Sequence, residues 1–269
     1  SFGLNPEILP ELNPANGVIG SVSAACAAET GLSEKTKVIT GVGDTFASML
    51  GGGAYNAKHF MIYLGTSGTS MYAEGSPKEY VACPHYGDGK AHFAGRIFSF
   101  GESILHLRNN LRYDNWDDLN CHLDEIEPGT EGLWYFPHYK LQTDASFFGP
   151  DAEFMMGYRG CHTQFHWYHA MLEGIAYNAR YNIVNFSMPI EQINIFGGGA
   201  NSKEICQMFA DIIGRDLHYN PKSSTALGVA FLAGYGSGAI KVYKELTDTW
   251  FGDSTVIKPN HERMKKYER

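Results

Sequence analysis

The chain has 269 residues and a mass of 29.8 kDa, with 43% hydrophobic and 19% charged residues, a composition that supports a sizeable core and excludes a largely disordered chain. Its formal net charge is −8 and its longest basic run is Lys265-Lys266, which excludes the electrostatic footprint of a nucleic-acid binder and a polybasic membrane patch. Glycine is over-represented, with 31 residues, about 12% against a usual 7% or so, so many backbone segments turn tightly or approach a neighbour closely.

The opening carries Pro6, Pro10 and Pro14 and predicts an extended, turn-rich segment. A short Ala-rich helix follows, N-capped by Ser21 and closed by Gly31. Lys37 to Thr40 predict a β-branched strand that runs through Gly41 and Gly43 into a small-residue helix starting at Thr45, the outline of a βα unit. Lys58 to Leu64 and Thr69 to Ala73 predict a hairpin with the tip Gly65-Thr66-Ser67-Gly68. Tyr113 to Ile126 predict a polar helix capped by Asp114, and Gly132 to Phe136 a buried strand. The clearest helix is Phe165 to Phe186, where Phe165, Tyr168, Leu172, Ile175, Ala179 and Ile183 recur at steps of three and four on one face. Ile193 to Phe196 predict a strand, Gly197 to Ala200 a turn, and Lys203 to Ile213 a helix ended by Gly214. A small-residue helix from Thr225 to Tyr235 and a helix in the charged tail complete the reading. Strands alternating with helices, plus one hairpin and no internal repeat, give a mixed α/β layered fold.

Five scattered cysteines (Cys26, Cys83, Cys121, Cys161 and Cys206) without a C-x-x-C predict free thiols in a reducing compartment. The weakly polar run from Ala226 to Ile240 is shorter than the roughly 20 residues of a membrane span. The first residues lack a leader pattern. The expectation is a cytoplasmic protein without membrane or nucleic-acid partners.

Three glycine clusters stand where strands end: Gly41 and Gly43 before Asp44, the Gly65–Gly68 tip, and the Gly197–Gly199 turn. Such places suit phosphate, because glycine admits an anion close to the backbone and unpaired N–H groups point at it. Each cluster alone also reads as a plain tight turn, and neither the P-loop nor the dinucleotide fingerprint is present. Asp44, at the mouth of its glycine turn, is placed either to take a proton from a substrate hydroxyl or to N-cap its helix. His162, His166 and His169 have spacings compatible with a helical zinc site, but the segment lacks the Glu of H-E-x-x-H, and helix start and core are the better reading. In the same helix, Gly174 suits close packing and Glu173 a neighbouring loop.

The segments GVGDTFASMLGGG (41–53), YLGTSGT (63–69), MLEGIAYNAR (171–180), FGGGANSKEICQMFADIIGRDL (196–217) and ALGVAFLAGYGSG (226–238), in this order, resemble the FGGY carbohydrate kinases, which include xylulose, gluconate and glycerol kinases. The resemblance implies an actin-like (ribonuclease H-like) ATPase fold of α/β class, with ATP in a cleft between two domains. It implies that Asp44 is the general base, that Gly65, Thr66, Ser67 and Gly68 form the second phosphate loop, and that Gly197, Gly198, Gly199, Ala200, Asn201 and Ser202 hold the adenosine. ATP and Mg²⁺ are the implied cofactors, with no metal ligand assigned in the chain, and the implied substrate is a sugar, polyol or sugar acid.

The family's first phosphate loop, a D-x-G-T-S-like pattern, does not occur in the chain. The expectation is therefore a C-terminal part: residues 1–53 as the tail of the first domain and 54–269 as the second, nucleotide-binding domain, inactive alone. Expected partners are the missing N-terminal half and, as a homo-oligomer, further copies of the chain. PHYKLQTDASFFGP (137–150) stands where many members carry a P-Y-L-x-G-E-R-like stretch, a departure that bears on sugar preference. The rival readings are a non-catalytic nucleotide-binding module of the same fold and a hydrolase using Asp44 with Glu173.

Overall fold

Apolar side chains alternate across the run KHFMIYL, and that alternation organises the molecule. In the computed structural model, residues 5–8, 10, 11, 13–53, 58–66, 68–73, 91–96, 100–113, 115–139, 152–241 and 254–268 are described. Within β3 (His59–Tyr63) and the residue after it, Phe60, Ile62 and Leu64 join one core, while Met61 and Tyr63 face a second core on the opposite side. A strand covered on both faces is apolar throughout, which explains the unbroken run.

β3 lies inside a six-stranded sheet with β4 (Thr69–Ala73), β5 (Ala91–Arg96), β8 (Gln192–Phe196), β9 (Leu217–Tyr219) and β10 (Thr255–Ile257), in the order β10-β9-β8-β3-β4-β5. β3, β8 and β9 are parallel, and the remaining pairings are antiparallel. Helices α3 (Phe100–Leu111), α5 (Gln164–Val184) and α6 (Lys203–Ile213) supply the first core. Helices α2 (Asp44–Gly51) and α7 (Thr225–Ser237) supply the second. Along α5, Tyr168, Leu172, Ile175, Ala179 and Ile183 are buried as their spacing predicts.

Close backbone approach fixes two of these contacts. A Cβ at Gly174 would stand 2.1 Å from the Tyr135 carbonyl oxygen, so α5 lies directly on β6 (Trp134–Tyr139), which pairs with β7 (Ala152–Met156). A Cβ at Gly228 of α7 would stand 1.9 Å from the Ala47 carbonyl oxygen of α2.

The N-terminal region forms an antiparallel pair, β1 (Val18–Ser21) with β2 (Lys37–Ile39), joined through α1 (Ala24–Thr30). The cap of α1 is Ser23, whose hydroxyl accepts the Cys26 N–H at 3.3 Å, and not Ser21. Ser21 is held in β1 opposite Lys37 and is unavailable for that role. Gly31 closes α1 with φ of 75°, as expected.

Two further expectations change. The polar helix over 113–126 is instead a short helix, α4 (Asp117–Asn120), and a single 3₁₀ turn at Leu123–Glu125; the expected cap Asp114 lies outside the described residues. The strand through Gly132–Phe136 buries only one face, leaving Trp134 and Phe136 more than 40% exposed, because nothing among the described residues covers its outer side. Most of 137–150 lies outside the described residues.

The tail folds back as α8 (His261–Tyr267), fixed by the fully buried Asp211, which accepts the Asn260 N–H at 2.6 Å and pairs with Arg263 at 3.1 Å. Cys26, Cys121, Cys161 and Cys206 are free thiols, and Cys83 lies outside the described residues. No described helix is long and apolar enough to cross a membrane.

Candidate functional site

Parallel pairing brings the C-terminal ends of β3 and β8 together, and a glycine turn follows each. The Leu64 N–H donates to the Phe196 carbonyl at 2.8 Å, and the Gly199 N–H donates back to the Leu64 carbonyl at 3.1 Å. Gly197 makes this possible with φ of 104°, and a Cβ there would stand 2.7 Å from the Leu64 carbonyl oxygen. Ser202 then opens α6, its hydroxyl accepting the Ile205 N–H at 3.2 Å.

Across the gap, Gly101 and Glu102 at the start of α3 each donate their N–H to the Thr66 carbonyl at 3.1 Å. The carbonyl side of the hairpin turn is thereby engaged. The N–H groups of Gly65 and Thr66, and that of Gly198, take no partner among the described residues. A Cβ at Gly198 would meet nothing within 4 Å. The result is a cleft of about 530 Å³, with Gly65 and Thr66 on one wall, Gly198, Gly199, Asn201 and Ser202 on another, and Phe100, Ile104 and Ile205 as apolar lining. Free N–H groups beside an apolar slot suit a ligand with an anionic end and a flat apolar end.

The predicted residues divide accordingly. Gly65, Thr66, Gly198, Gly199, Asn201 and Ser202 line one cleft. Gly197 and the buried Ala200 support it from behind without lining it. Gly68 turns the hairpin with φ of 57°, and Ser67 lies outside the described residues. Asp44 does not line the cleft. It is the first residue of α2 and not the residue before it, that place being taken by Gly43. Asp44 is exposed, and its carboxylate accepts the Thr45 N–H at 2.8 Å.

Glu173 points away from this chemistry. It is 4% exposed, and its two oxygens accept the Gly129 N–H at 2.8 Å and the Thr130 hydroxyl at 2.7 Å, so it satisfies a neighbouring turn as expected. Burial pushes its carboxyl up to about 7 against the pull of those hydrogen bonds. His169, wholly buried one turn earlier, contacts the Thr130 hydroxyl at 2.7 Å. Desolvation, followed by the charges of Arg263 and His166, holds its imidazole down at about 3, so its contact with Glu173 is not an ion pair near neutrality.

The other two histidines serve the helix start. His162 Nδ1 accepts the Arg159 N–H at 3.0 Å, and His166 Nδ1 accepts the Thr163 N–H at 3.2 Å in a capping box. Ligating atoms of Glu131, Cys161 and His162 lie within 4.8 Å of one another. The neutral His162 tautomer that accepts at Nδ1 carries its proton on Nε2 and offers no lone pair there. The cluster is a poor match to a metal.

Several cleft residues were missed by the sequence reading: Phe100, Gly101, Ile104, Trp116, Asp117 and Asn120. For α3 the signal was present, since Phe100, Ile104, Leu107 and Leu111 recur at helical steps.

The family model described as "FGGY family of carbohydrate kinases, C-terminal domain" matches residues 60–237. The chain is 26% identical to the xylulose kinase of Bacillus subtilis (strain 168), covering 99% of this chain and 56% of that protein. It is 26% identical to the gluconokinase of Bacillus licheniformis, again covering 99% of this chain and 56% of the relative. Among solved structures, the ligand-bound xylulose kinase of Lactobacillus acidophilus superposes with a TM-score of 0.77 at 20% identity, over 98% of this chain and 56% of that one. The Plasmodium falciparum glycerol kinase with ADP gives 0.75 at 19% identity, over 98% and 55%. These structures establish the fold, which is the actin-like α/β fold of the sugar kinases, and the chain spans about half the length of the relatives it matches. The match across the sheet, the glycine turns and the helices packed on them assigns this chain to the FGGY family of carbohydrate kinases, whose C-terminal domain it carries.

Proposed function

We propose that this chain is the nucleotide-binding part of an ATP-dependent carbohydrate kinase that phosphorylates a hydroxyl of a sugar, polyol or sugar acid. The observation that carries the reading is the cleft at the ends of β3 and β8, lined by Gly65, Thr66 and Gly198, whose N–H groups take no partner among the described residues, together with the apolar Phe100, Ile104 and Ile205. The phosphates belong beside the exposed hairpin turn, within reach of those N–H groups. The adenosine belongs along the Gly197–Ser202 segment. Mg²⁺, when bound with ATP, neutralises charge on the phosphates. Its ligands would be phosphate oxygens, and no residue of the chain is assigned to it.

In this reading residues 1–53 are the tail of a first domain and 54–269 the second domain. Asp44 is the general base that takes the proton from the attacking sugar hydroxyl. Its exposed carboxylate suits that role, and in the complete kinase the preceding half would bring the sugar to it. The hydrolase alternative is not favoured, because both oxygens of Glu173 are buried and engaged. The non-catalytic module stays the second reading, motivated by the position of Asp44 outside the cleft lining.

In-line phosphoryl transfer depends mainly on positioning acceptor, γ-phosphate and metal together. The chain alone should therefore show no measurable kinase activity, while the chain supplied with the preceding half of the kinase should turn over. An enzyme-coupled assay across ketoses, polyols and sugar acids checks both arms. Robust phosphorylation by the chain alone would overturn the division of labour. Nucleotide binding without turnover in the reconstituted protein would favour the non-catalytic module.

A further inference from the structure

Among the described residues lining the cleft, two are buried and carry polar side-chain atoms: Tyr168, 1% exposed, and Asn120, 8% exposed. Asn120 sits at the end of α4, and its Oδ1 accepts the hydroxyl of Tyr168, from α5, at 2.7 Å. Tyr168 is almost fully buried and its hydroxyl makes no other hydrogen bond among the described residues, so its proton goes to Asn120. Burial also drives the phenol's pKa upward and keeps it a neutral donor. The orientation of the Asn120 amide is thereby fixed, and Nδ2, with two N–H donors, takes no side-chain or backbone partner among the described residues.

Asp117 lines the same cleft three residues earlier. Residues at i and i+3 share a helical face, so α4 offers the cleft an acceptor and a donor side by side. That pair complements the Watson–Crick edge of adenine, where the N6 amine donates and N1 accepts. Guanine and hypoxanthine present the reverse, an O6 acceptor and an N1–H donor.

We infer that Asn120, oriented by Tyr168 and accompanied by Asp117, sets the base specificity of this cleft by reading the Watson–Crick edge of a purine nucleotide and admitting adenine over guanine. The inference rests on the nucleotide reading above. The depth order supports it: the hairpin residue Thr66 is exposed and suits phosphate, while Asn120 is buried and suits the part of the base farthest from the sugar. In a purine that part is the N1–C6 edge. A group buried without its hydrogen-bond partner is costly, so a site built to make this bond rejects a base that cannot.

The test is calorimetric titration of the chain with ATP, GTP, ITP and 7-deaza-ATP, the last keeping N1 and N6 but lacking N7. The wild-type chain should bind ATP and 7-deaza-ATP alike, and GTP and ITP roughly tenfold more weakly or worse, the equivalent of one lost hydrogen bond. Asn120→Ala should lose ATP affinity by about that factor while GTP binding stays unchanged. Asn120→Asp, which exchanges the donor for an acceptor and keeps the Tyr168 bond, should shift preference toward GTP and ITP. The wild-type series needs no variant to fold. An unchanged ATP-to-GTP ratio in both folded variants, or equal wild-type binding of ATP and ITP, would overturn the assignment while leaving the nucleotide cleft standing. Binding of none of these nucleotides by the wild-type chain would overturn both.

Discussion

Gly199 donates its N–H to the Leu64 carbonyl at 3.1 Å, and this one bond ties the turn after β8 to the start of the turn after β3. Neither glycine cluster makes a site by itself. Their adjacency does, because it turns two unremarkable strand ends into two walls of one cleft. The parallel pairing of Tyr63 with Phe196 sets that adjacency, and sequence spacing alone does not contain it.

For Asp44 the two roles differ in what they demand of the side chain. Its contact with the Thr45 N–H needs only an acceptor, which Asn supplies nearly as well. Proton abstraction needs the carboxylate. In the complete kinase, Asp44→Asn should lower kcat by roughly 10²–10⁴, about 3–5 kcal/mol of transition-state stabilisation, with ATP affinity and melting temperature nearly unchanged. Steady-state kinetics beside a thermal melt checks this, and near-normal turnover would return Asp44 to the helix start.

The α2–α7 contact should be intolerant of a single methyl group. Alanine at position 228 gains about 1 kcal/mol of helix propensity. Its Cβ, however, would stand 1.9 Å from the Ala47 carbonyl oxygen, a backbone atom that moves only with its helix. Overpacking of this kind costs about 1–3 kcal/mol, occasionally more, so the clash wins. Gly228→Ala should lower the urea midpoint, whereas Gly160→Ala, where a Cβ meets nothing within 4 Å, should not.

Glu173 and His169 give opposite pH dependences. The Glu173 carboxyl rises on folding from about 4.5 to about 7, so its contribution to stability is complete below 4.5 and is lost as pH climbs through 7. The His169 imidazole falls from 6.5 to about 3, so its contribution is present above 6.5 and is lost as pH drops toward 3. Glu173→Gln should therefore gain on the wild type between pH 4 and pH 8, by up to about 3 kcal/mol. Urea unfolding across that range is the measurement. A difference between the two proteins that stays constant with pH would contradict the assignment.

Much of this architecture is legible in the residues. The α5 stripe from Tyr168 to Ile183 is buried as spaced, and Gly214 closes α6 in the left-handed conformation with φ of 72°. Local rules reach that far because they act over one or two turns. They fail where partners decide. β1 hides in a proline-rich opening and exists by pairing with β2, and β9 and β10 are three residues each and are recruited by the sheet edge. The site shows the same division. Glycines at strand ends mark its backbone walls, but Asn120 is held at the cleft by a tertiary contact, its Oδ1 accepting the hydroxyl of a buried tyrosine from another helix.

Nucleotide binding in this cleft is tested most directly by titrating ATP into the wild-type chain and into Gly198→Val, by calorimetry or NMR. Position 198 is open on its cleft side and outside the left-handed region, so valine should leave the fold intact while its side chain fills the cleft. The wild type should bind ATP measurably, more weakly than an intact kinase, and the variant should lose roughly tenfold or more, at least about 1.4 kcal/mol. Equal binding by a folded Gly198→Val would show that the nucleotide does not occupy the cleft between the turns after β3 and β8.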